Sequence, residues 1–213
     1  MPYSTHTHLT AHEPRPVRGR VPWLMGAALV ATLILAACAG IAADGGRADG
    51  GQAEQPASAA GALPADFRIT VYQGEDSLGG QEVNLSEVLA QGKPVVLNFW
   101  AGLCPPCRLE MPDLQAVHNA FGDQVVLFGL DVGPFTALGS NEDGRALIQE
   151  LGVTYPAGTT SESSAVRDFQ VTGMPSTYFI KPDGEVVRKW TGLLTEAKLS
   201  ELVQELLEAA ASS

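Results

Sequence analysis

The apolar positions of this chain fall into two patterns, and their order sets out an α/β fold. Val95, Val96, Leu97, Asn98 and Phe99, bounded by Gly92, Lys93 and Pro94, form a nearly continuous apolar run. A second such run covers residues 125–131. Both have the length and β-branched content of buried strands. Between them Cys107, Glu110, Met111, Leu114, Val117 and Phe121 recur at helical spacing. They share one inner face, while Arg108 and Gln115 point outward. This helix is expected to run from near Cys104 to about Phe121, with a kink at Pro112. A helix between two buried strands predicts a parallel pair.

The flanking pattern is sparser. Residues 67–72 have strand character, and after Gly79 and Gly80 residues 81–85 are expected to return as a hairpin partner. A short helix over 86–91 is predicted to start with Ser86 near its N-cap. Further helices are expected over 142–151, ended by Gly152, and over 163–169. Residues 176–180 and 185–190 flank Pro182, Asp183 and Gly184, a turn signal that makes them a hairpin. A last amphipathic helix runs over 195–210. The chain therefore divides into 1–38, a signal or membrane anchor; 39–63, a flexible linker rich in Gly, Ala and Asp; and 64–210, one folded domain.

Segment 1–38 is polar at first, carrying Arg15, Arg18 and Arg20, and then apolar from Val21 to Ala37. This is the pattern of a targeting signal. Leu35, Ala36, Ala37 and Cys38 have the form of a bacterial lipobox, in which Cys38 is lipidated. The other reading is an uncleaved transmembrane helix. Either places the domain on the extracytoplasmic face of a bacterial membrane. Net charge is −11, with 13 Lys and Arg against 24 Asp and Glu. An acidic chain without basic clusters offers no nucleic-acid surface.

Cys104 and Cys107 stand where the first buried strand gives way to the long helix. A thiolate on Cys104 would lie at the positive end of the helix dipole, which lowers a thiol pKa and makes a nucleophile. Cys107 follows one turn later, close enough to close a small disulfide ring, and Pro105 and Pro106 suit a first turn. A structural zinc site would need four ligands. The remaining candidates are Cys38, His6, His8, His12 and His118, with no second pair at ligand spacing in the folded region. A structural disulfide gains most from closing a long loop, and this loop is short. Dithiol–disulfide exchange is the reading that remains, with neither metal nor cofactor.

The stretch Phe99, Trp100, Ala101, Cys104, Pro105, Pro106, Cys107, Arg108, Glu110, Met111, Pro112 resembles the membrane-tethered thiol-disulfide oxidoreductases of the thioredoxin superfamily, of the TlpA, ResA and CcmG kind. The resemblance implies a central mixed sheet flanked by helices, with an N-terminal β-hairpin extension and a helical insertion. Leu103 departs from it, standing where the family usually has tryptophan or another aromatic. The resemblance also implies a cis bond between Met174 and Pro175, facing the cysteine pair. Trp100, Leu103, Pro105, Pro106, Met174 and Pro175 are expected to meet the partner, with Trp100 also packing beneath the active-site loop.

Glu110 lies three residues after Cys107 on the apolar face, so burial should raise its pKa. In the resembled family an acid at this spacing assists the buried cysteine. Asn98 stands six residues before Cys104, where thioredoxin has a buried aspartate. His118 is expected at the surface or rim. The expected activity is reduction of disulfides in extracytoplasmic proteins, Cys104 attacking and Cys107 resolving, with Glu110 and Pro175 assisting. By resemblance the partner is an apocytochrome c or a copper-site protein, and a membrane thiol donor restores the dithiol. The rival readings are a copper-binding chaperone on the same fold and a disulfide-forming oxidase or isomerase.

Overall fold

The computed structural model describes residues 62–212, whose strands form one seven-stranded sheet in the order β2-β1-β5-β4-β3-β6-β7. Cys38, the apolar segment before it and most of the 39–63 linker lie outside the described residues. The two apolar runs become β3 (Val95–Trp100) and β4 (Val126–Asp131), buried at every position and paired in parallel. Between them runs α3 (Pro105–Phe121). Its inner face buries Cys107, Glu110, Met111, Leu114 and Val117, whereas Phe121 is half-buried. Gln115 is not a free outward residue. Its Oε1 accepts the backbone N–H groups of Thr154 and Tyr155, tying the loop there to α3.

The N-terminal hairpin is present as β1 (Arg68–Gln73) and β2 (Glu82–Asn84), with a short helix α1 (Glu75–Leu78) in its connection. The next helix, α2 (Leu85–Leu89), starts earlier than its expected Ser86 cap. Its N-cap is Asn84, whose N–H is held by Glu87 Oε2 at 2.7 Å, while the Ser86 N–H and hydroxyl both donate to Asp66. The helical insertion after β4 consists of α4 (Gly133–Thr136) and α5 (Asn141–Leu151), the latter capped by Ser140 and ended at Gly152 with φ 63°.

A three-residue strand, β5 (Ala157–Thr159), was not foreseen. It pairs in parallel with β4 and antiparallel with β1, and so joins the N-terminal hairpin to the central sheet. Gly158 is needed there, because a Cβ would stand 2.6 Å from Thr70 O. After α6 (Ser164–Asp168) the expected hairpin forms from β6 (Ser176–Ile180) and β7 (Val186–Thr191), and α7 (Glu196–Ala211) closes the domain. Apolar cores lie on both faces of the sheet, as an α/β layer architecture requires. Among the described residues no helix is long and apolar enough to cross a membrane.

Candidate functional site

Cys104 is the N-cap residue of α3, with Pro105 and Pro106 in the first turn. The prolines cost no hydrogen bond there, since first-turn amides have no intrahelical acceptor. The first available donor, the N–H of Cys107, points at Cys104 Sγ from 3.3 Å. A thiolate on Cys104 would meet that N–H and the helix dipole together, the arrangement that lowers a thiol pKa. Here the two cysteines form a disulfide, with Cα atoms 5.3 Å apart, and both are buried. Their roles are therefore distinguished by helix position and not by exposure.

The loop ahead of Cys104 is held from two sides. Leu103 N–H donates to Leu138 O at 2.8 Å, and Gly102 lies so close to α5 that a Cβ would stand 2.5 Å from the Asp143 carbonyl carbon and from Gly144 N. Leu103, Pro105 and Pro106 are exposed around the disulfide. Trp100 is not. It is fully buried beneath the loop, in the space that Gly129 leaves, so it cannot meet a partner directly as expected of it. Its indole is turned into the core cluster that also holds both cysteines, and its packing role is the one the structure supports.

On the other side, the Met174–Pro175 bond is cis. The first pair of β6 with β3, Ser176 opposite Phe99, sets Pro175 beside the strand end from which the cysteine loop departs. Pro175 is buried, its carbonyl taken by the N–H of Gly192 at 2.8 Å. Met174 is half-buried and packs against the core cluster that contains both cysteines.

Glu110 has no solvent exposure. It stands one turn beyond Cys107 on the same helix face, where side chains are neighbours. Its Oε1 accepts the N–H of Leu194 at 3.1 Å, and its Oε2 accepts from Asn98 Nδ2 at 3.4 Å. Burial pushes its pKa up to about 8 against the opposing pull of these two bonds, with Asp113 adding a little repulsion. A carboxyl with that value, beside a cysteine, is a proton donor near neutral pH and an acceptor just above it. Asn98 also donates to Thr177 Oγ1 at 3.0 Å, and its Oδ1 has no partner.

A second buried acid escaped the sequence reading. Asp131, at the end of β4 and paired in register with Trp100, accepts from Gly133 N at 2.9 Å and from the Tyr72 hydroxyl at 3.1 Å. Burial raises its pKa to about 6. Its only sequence signal is an acid closing an apolar run. His118 lies half-buried on α3 with its ring centroid 6.5 Å from that of Tyr155, and burial lowers its pKa. Among the described residues no group of three or more His, Cys, Asp or Glu side chains is placed to hold a metal ion.

Residues 63–189 match the AhpC/TSA family. The thiol-disulfide oxidoreductase ResA of Oceanobacillus iheyensis is 32% identical over 144 residues, which cover 66% of this chain and 69% of that protein. Among solved structures, StoA from Bacillus subtilis superposes with a TM-score of 0.54 at 22% identity, covering 67% of this chain and 99% of that one. The exposed lipoprotein thioredoxin Etrx1 of Streptococcus pneumoniae gives 0.55 at 24% identity, covering 66% and 99%. These two likenesses carry the fold, and the ResA match carries the chemistry. The chain belongs to the AhpC/TSA family of thioredoxin-like proteins and is a thiol-disulfide oxidoreductase.

Proposed function

We propose that this protein is a membrane-tethered, extracytoplasmic reductase of protein disulfides, with Cys104 as the attacking thiol and Cys107 as the resolving one. The observation that carries the direction is the buried carboxyl of Glu110 one turn from Cys107. Strong disulfide oxidants owe their potential to a stabilised thiolate in the reduced form. Where it is ionised, a buried carboxylate beside Cys107 disfavours a thiolate on that cysteine and so favours the disulfide product.

The reaction proceeds in two exchanges. Cys104 thiolate attacks one sulfur of the partner disulfide, so that a Cys104–partner bond forms, the partner's own S–S bond breaks, and its freed thiolate takes a proton from solvent. Glu110 carboxylate then accepts the proton of Cys107. The resulting thiolate attacks Cys104 Sγ, the Cys104–Cys107 bond closes as the Cys104–partner bond breaks, and the partner's second sulfur leaves as a thiolate that takes its proton from solvent. The partner has gained two electrons and two protons in all. A thiol donor reverses these steps to restore the dithiol, and Glu110 then returns its proton to Cys107 as that cysteine departs.

The tether is Cys38 as a lipidated residue, supported by the lipobox form of residues 35–38 and by the lipoprotein character of Etrx1. The partners follow from resemblance: an apocytochrome c or a copper-site protein as substrate, and a membrane thiol donor. Cys107→Ser tests this reading. It leaves an attacking thiol that cannot be resolved, so a partner is expected to accumulate in a mixed disulfide through Cys104, in the membrane fraction. Trapping through a Cys104→Ser variant instead, or fatty-acid labelling that persists in Cys38→Ser, contradicts the assignment.

A further inference from the structure

Helix α3 is apolar on two faces. The inner one is the buried row from Cys107 to Val117. On the opposite side, Pro105, Leu109 and Pro112 project within about 60° of arc at the pitch of an α-helix, and all three are exposed. Exposed Pro106 and Leu103 continue this face to the disulfide. Among the described residues the large apolar side chains left exposed are Leu103, at 59%, and Leu109, at 68%. Both lie on this face. Singly exposed leucines need no explanation, but a contiguous row is a mark of an interaction surface. On one flank Arg108 is drawn aside by two hydrogen bonds to Glu150, at 2.5 and 3.0 Å, and on the other the half-buried Asp113, one turn after Leu109, borders the row.

We propose that this outer face of α3 is a docking surface for an apolar segment of the partner polypeptide, next to the partner's own cysteines. Continuity with the exchanging sulfur is the reason: any chain that reaches Cys104 must cover Leu103, Pro105 and Pro106, and Leu109 stands one turn further along the same path. The net charge of −11 opposes a second copy of this chain or an anionic membrane as occupant. Leu109 is thereby a specificity residue remote from the reacting atoms. It adds affinity for polypeptides with leucine-like side chains beside the disulfide and contributes nothing toward small disulfides.

The proposal rests on Cys104 being the attacking thiol, and the experiment separates the two. The full-length reduced chain is mixed with two synthetic peptides, each closed by a C-x-x-C disulfide, one followed by leucines and one by serines, and with the small disulfide of thionitrobenzoate. The leucine peptide is expected to react about tenfold faster than the serine peptide, the order of effect that burying one leucine supplies. Leu109→Lys is expected to abolish that preference without changing the rate with the small disulfide, and Leu109→Met to retain it. Equal peptide rates in the unmodified chain, or an undiminished preference in Leu109→Lys, overturn the docking surface alone. A dimer that sediments intact and is split by Leu109→Lys overturns it in favour of a second copy. Failure to react even with the small disulfide overturns the role of Cys104 and the docking surface together.

Discussion

Asn98 and Glu110 meet across the interface between the central strand and the active-site helix, the Asn98 amide donating to Glu110 Oε2 at 3.4 Å. The carboxyl is thereby pinned between β3 and the Leu194 N–H ahead of α7, one turn beyond Cys107. A neutral amide steadies the acid without competing for its proton, as an aspartate at position 98 would.

Glu110→Gln keeps this geometry and removes the proton. Exchange by Cys104 should persist while turnover falls by about a hundredfold, the order of a lost general acid–base group. The pH dependence assigns the cause. Reduction of the Cys104–Cys107 disulfide by a dithiol, expressed per attacking thiolate, should slow above about pH 8 in the unmodified protein, where Glu110 has lost the proton it gives to Cys107. In Glu110→Gln the same profile should be flat. Stopped-flow kinetics across that range decides it.

The same carboxyl sets a stability trend. Its folded pKa of about 8 lies above its ordinary 4.5, so the folded state binds the proton more tightly, and the stabilisation is complete at low pH and lost as pH rises. Asp131 acts in the same sense but only up to about 6. His118, whose pKa is lowered from 6.5, acts in the opposite sense and has lost its proton in both states above that value. Between about pH 7 and 8 the unfolding free energy of the oxidised protein should therefore fall by roughly 1 kcal/mol per pH unit. Urea titrations of Glu110→Gln should show that slope removed.

Gly144 lies against Asp131, and a Cβ there would stand 2.1 Å from Asp131 Oδ2. Gly144→Ala should destabilise the fold by about 1–3 kcal/mol, as overpacking of a filled core does. In an Asp131→Ala background, where the obstructing oxygens are gone, the same substitution should cost much less. A double-mutant cycle on urea midpoints measures that coupling, and additive effects would place the strain elsewhere.

The long elements were legible because their spacing was long enough to read. The five inner positions of α3 from Cys107 to Val117 share one face whatever happens at the ends, so the burial of Glu110 followed from phase alone. The same reading missed β5. Ala157, Gly158 and Thr159 have small side chains and form a strand only because β1 and β4 supply neighbours on both sides. Asn84 took the cap from Ser86 because Asp66, 20 residues earlier, engages Ser86, a contact that no local pattern carries. Asp131 was invisible for a similar reason. Its burial depends on Tyr72 and Gly144 arriving from distant parts of the chain. For Trp100 the burial bears out packing beneath the loop and not contact with a partner, because a motif fixes which residues surround a cysteine and not the direction in which each side chain leaves the strand.

The direction of exchange is tested most directly by the reduction potential of the Cys104–Cys107 couple, obtained by equilibrating the protein against defined ratios of reduced and oxidised dithiol and counting free thiols by mass after alkylation. A reductase should lie close to thioredoxin, at about −270 mV. A value near that of a strong oxidant, about −120 mV, would mean that the reduced form is the stabilised one and that this protein makes disulfides in its partners.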